Sequence, residues 1–136
     1  MMYYAILDTN VLVSAMLKTG SVPAQVVAEA MTGSIIPVLS DGIIAEYEDV
    51  LNRSKFHFDK RAVRVFMDEL KRRAIYTDAG PIDDVVLDPK DVVFYAVLME
   101  KRREEEAYLV TGNLKHYPVR TYIVTPREML DILQET

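Results

Sequence analysis

The sequence predicts an α/β fold with a mainly parallel central sheet, and three observations carry that prediction. Short apolar segments typical of buried strands alternate with helical segments along the whole chain. The connections between strands are too long for hairpins, which favours parallel pairing through helical crossovers. No linker or change of composition marks a domain boundary in the 136 residues, so we expect a single domain over residues 1–136.

Two strands and two helices are predicted in the first 39 residues. Residues 3–7 are apolar and stop at a polar trio that begins with Asp8, as a buried strand ending in a loop does. The apolar residues 11–17 form a helix, and Pro23 suits the first turn of a second helix through residue 31. Residues 35–39 predict the second strand, although Pro37 is a mild objection to it unless the strand lies near a sheet edge.

Two further helices and a mixed segment follow. Ser40 is a good N-cap for a helix over residues 41–51, whose apolar residues recur at helical spacing. Asp59 caps a longer helix to about residue 74. A short strand is expected at either 75–77 or 85–87.

The last third of the chain predicts two helices and two strands. Residues 92–99 are apolar nearly all round, so the helix they form should be buried, with residues 101–106 as its charged, solvated end. Strands are expected at 108–110 and 121–124, and a last helix starts at 125–128 and runs to residue 133.

Composition excludes several classes of protein. Without cysteine there can be no disulfide, Fe–S cluster or thiol catalysis. A net charge of -5 argues against coating nucleic acid by bulk charge. The longest apolar run has eight residues, against about 20 for a membrane span, and the N-terminus does not read as a signal peptide. We therefore expect a soluble, cytoplasmic protein.

Polar side chains recur where the predicted strands end, which is where open parallel sheets bind ligands. The residues that follow the first three clear strands are Asp8 and Asn10, then Ser40 and Asp41, then Thr111 and Asn113. Asp88 and Asp91 open the helix that precedes the third of these strands. Glu46 lies in an otherwise apolar helical face, and we expect it to meet Asp8 and Asp91 at one rim of the sheet. Clustered carboxylates repel one another unless a cation joins them, and an all-oxygen set favours Mg²⁺ or Mn²⁺. The pattern predicts a metal-dependent phosphodiesterase site.

Structural alternatives exist for each acid. Asp8 can simply cap the helix that follows it. Asp88 before Pro89 has the pattern of a helix cap, which is the favoured interpretation of Asp88 on spacing alone. A shift of helix face would expose Glu46 to solvent.

At this point the segments resemble those of PIN-domain nucleases, and the subfamily they match best is similar to VapC-type toxins of toxin–antitoxin pairs. The matching segments are ILDTNVLVSA at 6–15, LSD at 39–41, EYEDVL at 46–51, DPKD at 88–91, YLVTGN at 108–113 and IVTPRE at 123–128. The segments occur in the same order as in the family, and the resemblance covers essentially the whole chain. The resemblance implies a three-layer α/β/α domain that cleaves RNA at an acidic metal site.

The resemblance also implies roles for single residues. Asp8, Glu46 and Asp91 match the three metal acids, and Asn10 matches a polar residue that supports the site. Many family members carry a fourth acid where this chain has Asn113, which puts a second metal in doubt. In the expected mechanism Asn113, Asn10 and Thr111 orient waters and the scissile phosphate, while Asp88 is a candidate to replace the missing charge.

The sequence also offers candidate residues for binding RNA and for contacting a partner protein. Residues 53–73 hold eight Lys and Arg against three acids, and Arg53 and Lys55 there, with Lys115 beside Asn113, are the candidate RNA contacts. The aromatic residues 56 and 58 can stack on bases or anchor the core. Residues around Leu12, Leu17 and Val22 can form core, a dimer contact or the site of an antitoxin that the resemblance implies.

Other functions remain open on the sequence. A haloacid-dehalogenase-like phosphatase requires an acid at position 10, and a receiver domain requires a pair of acids near the N-terminus; both are disfavoured. The main alternative is a catalytically weak or inactive PIN scaffold that binds RNA or a protein.

Overall fold

The chain forms an all-parallel sheet in a computed structural model that describes residues 2–86 and 88–135. Within these residues the sheet has five strands, which are β1 (Tyr3–Leu7), β2 (Ile35–Leu39), β3 (Ile75–Tyr76), β4 (Ala107–Val110) and β5 (Ile123–Val124). Their order across the sheet is β3-β2-β1-β4-β5. The sequence prediction of a mainly parallel sheet is confirmed.

Helices cover both faces of the sheet and give the expected three-layer α/β/α arrangement. They are α1 (Thr9–Leu17), α2 (Val22–Thr32), α3 (Asp41–Leu51), α4 (Lys60–Arg73), α5 (Val92–Lys101) and α6 (Pro126–Gln134). Single 3₁₀ turns lie at Ser54–Phe56, Pro89–Asp91 and Leu114–His116. Helix α5 packs on β1 and β4 and contacts α3, whereas α2 contacts β2, α4 and α6.

The open choice for the short strand is resolved at Ile75–Tyr76, which pairs with Val38 and Leu39 of β2. Val85 and Val86 are not in a strand, and Leu87 lies outside the described residues. Because β3 pairs with β2 only from Val38 onward, β2 has no strand on that side at Pro37. The proline therefore stands at a local edge, as its missing N–H requires.

Helix α5 is buried, as its apolar sequence predicts, and its Phe94 ring stacks on Tyr47 of α3 with centroids 6.0 Å apart. The prediction that its charged end is solvated from residue 101 onward is wrong at the first residue. Lys101 is only 7% exposed, and its Nζ lies 4.4 Å from the centre of the Tyr4 ring. A long aliphatic stem and a cation–π contact allow a lysine to be buried in this way.

Over the described parts of the chain, no single helix is both long and apolar enough to cross a membrane. Helices α1 and α2 reach that length and apolarity only as a pair, bent by 108° where they meet.

Candidate metal centre

The candidate centre lies beyond the carboxyl ends of β1 and β4, the two neighbours at the middle of the sheet. From β1 the chain continues to β2 on one side, while β4 and β5 extend the sheet on the other, so the strand order reverses direction here. A crevice at such a reversal is the usual ligand site of open parallel sheets. The backbone N–H of Asp8 donates to the carbonyl of Val110 at 2.9 Å, which joins the two strand ends.

Asp8 is buried at this point, with 4% of the residue exposed. Its Oδ2 accepts hydrogen bonds from the Thr111 hydroxyl and the Tyr117 hydroxyl, both at 2.9 Å. Asp8 occupies the N-cap position of α1, but its side chain makes no capping hydrogen bond, so capping does not explain the residue. Burial raises the pKa of Asp8, and the bonds from Thr111 and Tyr117 only partly oppose that rise.

Asp91 ends the 3₁₀ turn before α5 and is also buried, at 9% exposure. Its Oδ2 lies 3.1 Å from Nδ1 of His116. Burial raises the pKa of Asp91, and the negative charge of Asp8 raises it further. The two carboxylates therefore interact through a poorly solvated space, which is the arrangement that a cation stabilises.

Asp88 caps the turn that leads to Asp91, as its spacing predicts, because its Oδ1 accepts from the N–H of Lys90 at 2.9 Å. One oxygen of Asp88, one of Asp91 and one ring nitrogen of His116 lie within 4.8 Å of one another and can hold a metal ion. The side chains present thus fit a divalent cation, with carboxylates as the main donors and His116 as an additional one.

Asn10, Thr111 and Asn113 hold the loops around the two acids. The side-chain oxygen of Asn10 accepts from the N–H of Gly112 at 3.0 Å. Thr111 is fully buried, and its hydroxyl both donates to Asp8 and accepts from the N–H of Asn113 at 3.0 Å. Asn113 is half-buried, and its side-chain amide makes no hydrogen bond to another residue within the described ranges.

The cluster of Asp88, Asp91 and His116 does not include Asp8, and it does not include Glu46. Glu46 is half-buried, and its carboxylate makes no ion pair or hydrogen bond within the part of the chain that the structure describes. Its neighbour Tyr47 donates a hydrogen bond to the carbonyl of Leu7, the residue before Asp8. The helical turn that carries Glu46 is therefore tied to the end of β1, and the role of Glu46 as a metal acid stays a prediction.

His116 and Tyr117 contact the two buried acids, although the sequence predicts no metal-site role for either residue. Nothing in their local pattern distinguishes them from ordinary loop residues. The signal available was their position, three and four residues after Asn113. The 3₁₀ turn Leu114–His116 folds them back over the strand ends.

The candidate RNA contacts lie in two separate places. Arg53 and Lys55 follow α3, an eleven-residue helix and therefore about 16 Å long, whose first turn lies at the strand ends. Lys115 is exposed on the turn that carries His116, and Lys90 is exposed on the turn that carries Asp91. Lys115 is thus near the acids, whereas Arg53 and Lys55 can reach only a more distant part of a substrate.

The segment after α3 is ordered by its own contacts. Arg53 pairs with Asp49 at 3.0 Å, and Nζ of Lys55 lies 5.1 Å from the centre of the Phe56 ring. Phe56 stacks on Phe58 with centroids 5.4 Å apart. Phe58 also packs against the core, so this ring is an anchor as well as a stacking partner.

The apolar candidates for a partner surface divide between core and exterior. Leu12 is fully buried, so of the alternatives that the sequence leaves open for this residue the structure supports the core. Leu17 is 62% exposed, and Val22 is half-buried. Of these three residues, only Leu17 at the end of α1 therefore presents a large apolar side chain to a partner.

The comparisons with known proteins agree with this geometry at the level of the family. No curated protein matches the chain. A family model described as PIN domain matches residues 4–115, a range that includes Asp8, Glu46, Asp91 and Asn113. PIN domains are generally metal-dependent nucleases, and the acidic centre at the strand ends fits that chemistry. The match spans far more than half of the sequence, and the chain therefore belongs to the PIN-domain family.

Proposed function

We propose that this protein is a metal-dependent endoribonuclease that hydrolyses RNA phosphodiester bonds with Mg²⁺ or Mn²⁺. The observation that carries the proposal is the burial of Asp8 beside Asp91, where each carboxylate is poorly solvated and neither forms an ion pair with a Lys or Arg among the described residues. Two charged carboxylates that lie close together in a poorly solvated place repel each other, and a bound cation removes that cost. A divalent cation is the ligand that their oxygens fit.

Asp8 and Asp91 would hold the cation directly, and Glu46 would hold the cation or the attacking water. When bound, the cation would lower the pKa of a water and neutralise charge on the phosphodiester. Thr111 holds the Asp8 carboxylate by its hydroxyl. Asn10 and Asn113 would orient waters and the scissile phosphate.

Asn113 leaves one negative charge fewer than a four-acid centre has. Asp88 lies close to Asp91 and His116 and would replace part of that charge. We therefore propose one tightly held cation at Asp8 and Asp91, with a second bound weakly or only in the presence of substrate.

The proposal is tested with purified protein, end-labelled single-stranded RNA and either Mg²⁺ or Mn²⁺. We expect cleavage that EDTA abolishes and that falls by about 100-fold or more in Asp8→Asn and Asp91→Asn, since each variant removes a ligand charge. Asp131→Asn, the same change at an exposed acid of α6, is the matched control. Full Mn²⁺-dependent cleavage by Asp8→Asn would show that the site assignment is wrong.

The second candidate is a PIN scaffold that binds RNA or a protein without cutting, and Asn113 is the residue that favours it. The same assay separates the two functions. A scaffold retains RNA in a filter-binding or anisotropy measurement but releases no product with either cation. Restoring the acid in Asn113→Asp should then create or increase cleavage.

We further propose that the protein is the toxin of a toxin–antitoxin pair and acts as a dimer. The resemblance to VapC-type toxins supports this role, and the exposed Leu17 offers a small contact area. Inducible expression with sequencing of RNA ends, wild type beside Asp8→Asn, tests it. New RNA ends and growth arrest that both depend on Asp8 support a toxin, whereas no new ends in either strain would favour the scaffold.

A further inference from the structure

Tyr117 places a hydroxyl group between the two buried acids. The residue is 5% exposed, and its hydroxyl donates to Oδ2 of Asp8 at 2.9 Å. The same hydroxyl is close enough to Asp91 to interact with its charge. A tyrosine hydroxyl has one proton to donate, and the hydrogen bond at 2.9 Å goes to Asp8. Asp91 has His116 as a further partner.

The ring of Tyr117 is held in place by contacts outside the acidic centre. It stacks on the ring of Tyr95, with centroids 6.4 Å apart and planes 25° from parallel. The Tyr95 hydroxyl donates to the carboxylate of Asp84, which also pairs with Arg120 at 3.1 Å. Since Arg120 follows Tyr117 by three residues, the loop is fixed at both points. The hydroxyl is thus pre-positioned by packing that a phenylalanine would retain.

Both hydrogen bonds that side chains donate to Asp8 end on the same oxygen. Thr111 and Tyr117 each donate to Oδ2, so Oδ1 is the oxygen without a side-chain donor among the described residues. Two donors on one oxygen fix the plane of the carboxylate. Hydrogen bonds of this kind orient ligand carboxylates in metal sites and strengthen the binding of the cation.

We propose that Tyr117 is a positioning residue of the candidate metal centre, which holds Oδ2 of Asp8 and so fixes the orientation in which that carboxylate would bind the cation. This inference rests on the proposed function for the presence of a cation. It adds a residue outside the acidic set, contributed by the loop between β4 and β5. Tyr117 does not itself bind the cation, because its neutral hydroxyl is engaged as a donor.

The test compares Tyr117→Phe with Tyr108→Phe. Tyr108 is a matched control because its hydroxyl also donates to a carboxylate, that of Glu106 at 3.1 Å, near the start of β4 and away from the centre. The dissociation constant of Mn²⁺ is measured by the electron paramagnetic resonance signal of free Mn²⁺, and the thermal midpoint is measured in EDTA.

We expect Tyr117→Phe to bind Mn²⁺ about tenfold more weakly than wild type and Tyr108→Phe to bind it unchanged. An unchanged Mn²⁺ affinity in Tyr117→Phe would overturn the positioning role while leaving the proposed function intact. Equal weakening in both variants would also overturn it, since the effect would then be a general loss of stability. A wild-type protein that binds no Mn²⁺ would refute the proposed function and this inference together.

Discussion

Replacing Thr111 by valine should lower the unfolding free energy of the metal-free protein, because the Thr111 hydroxyl makes two hydrogen bonds. Thr111 is fully buried, and valine has nearly the same shape, so the change removes the hydroxyl without leaving a large cavity. Two hydrogen bonds disappear, one to the Asp8 carboxylate and one from the N–H of Asn113.

The expected decrease is about 2–4.5 kcal/mol of unfolding free energy. A hydrogen bond to a charged group contributes about 1.5–3 kcal/mol and a neutral one about 0.5–1.5 kcal/mol. For a chain of 136 residues, an unfolding entropy of about 2.1 cal/mol/K per residue means that 1 kcal/mol shifts the thermal midpoint by about 3.5 °C. We therefore expect Thr111→Val to melt about 7–16 °C below wild type.

Thermal unfolding followed by circular dichroism in EDTA at pH 7 measures this shift, with Thr111→Ser as the control. Serine keeps the hydroxyl and lacks one methyl group, which costs about 1 kcal/mol and about 3–4 °C. A Thr111→Val protein that melts with wild type, or one no less stable than Thr111→Ser, would show that Asp8 does not depend on this hydroxyl.

Three further outcomes are expected from the same geometry. Because burial raises the pKa of Asp8 above its unfolded value of 3.8, the charge of Asp8 costs stability at pH values above the raised pKa; this cost shrinks as the pH falls through the raised pKa and is gone below 3.8. Asp8→Asn should therefore melt above wild type at pH 7 in EDTA, and pH-dependent calorimetry should show this advantage shrinking toward acid pH. Mn²⁺ at about 100 times its dissociation constant should stabilise wild type by about 2.7 kcal/mol but not Asp91→Asn, as seen in thermal melts. Charge reversal of Arg53 and Lys55 should weaken single-stranded RNA binding and lower its log–log salt slope by about 0.7 for each phosphate that is no longer neutralised, with Mn²⁺ affinity unchanged.

The fold could be predicted because its determinants are local. Short apolar segments between the helical patterns predict the strands. Cap residues such as Ser40 and Asp59 predict helix starts, which the structure confirms. Glu128, which completes the capping box of α6, is a signal of the same local kind. These patterns need only a few consecutive residues.

The centre could be predicted only in part because its hydrogen bonds join distant parts of the chain. Asp8 stood out as a polar residue after a buried strand, but its bond to Tyr117 spans 109 positions. Tyr117 contacts Asp8 because of the conformation of the loop after β4, and no periodic pattern in the sequence predicts that conformation. The burial of Lys101 was missed for a similar reason, since it depends on the Tyr4 ring from another element.

A crystal structure with Mn²⁺, phased on its anomalous signal, tests the proposed metal centre most directly. We expect an anomalous peak about 2.0–2.3 Å from one carboxylate oxygen of Asp8 and one of Asp91, with Oδ2 of Asp8 still bound to Tyr117. A peak held by Asp88 and His116 without Asp8, or no peak at the strand ends at millimolar Mn²⁺, would contradict a cation shared by the two buried acids.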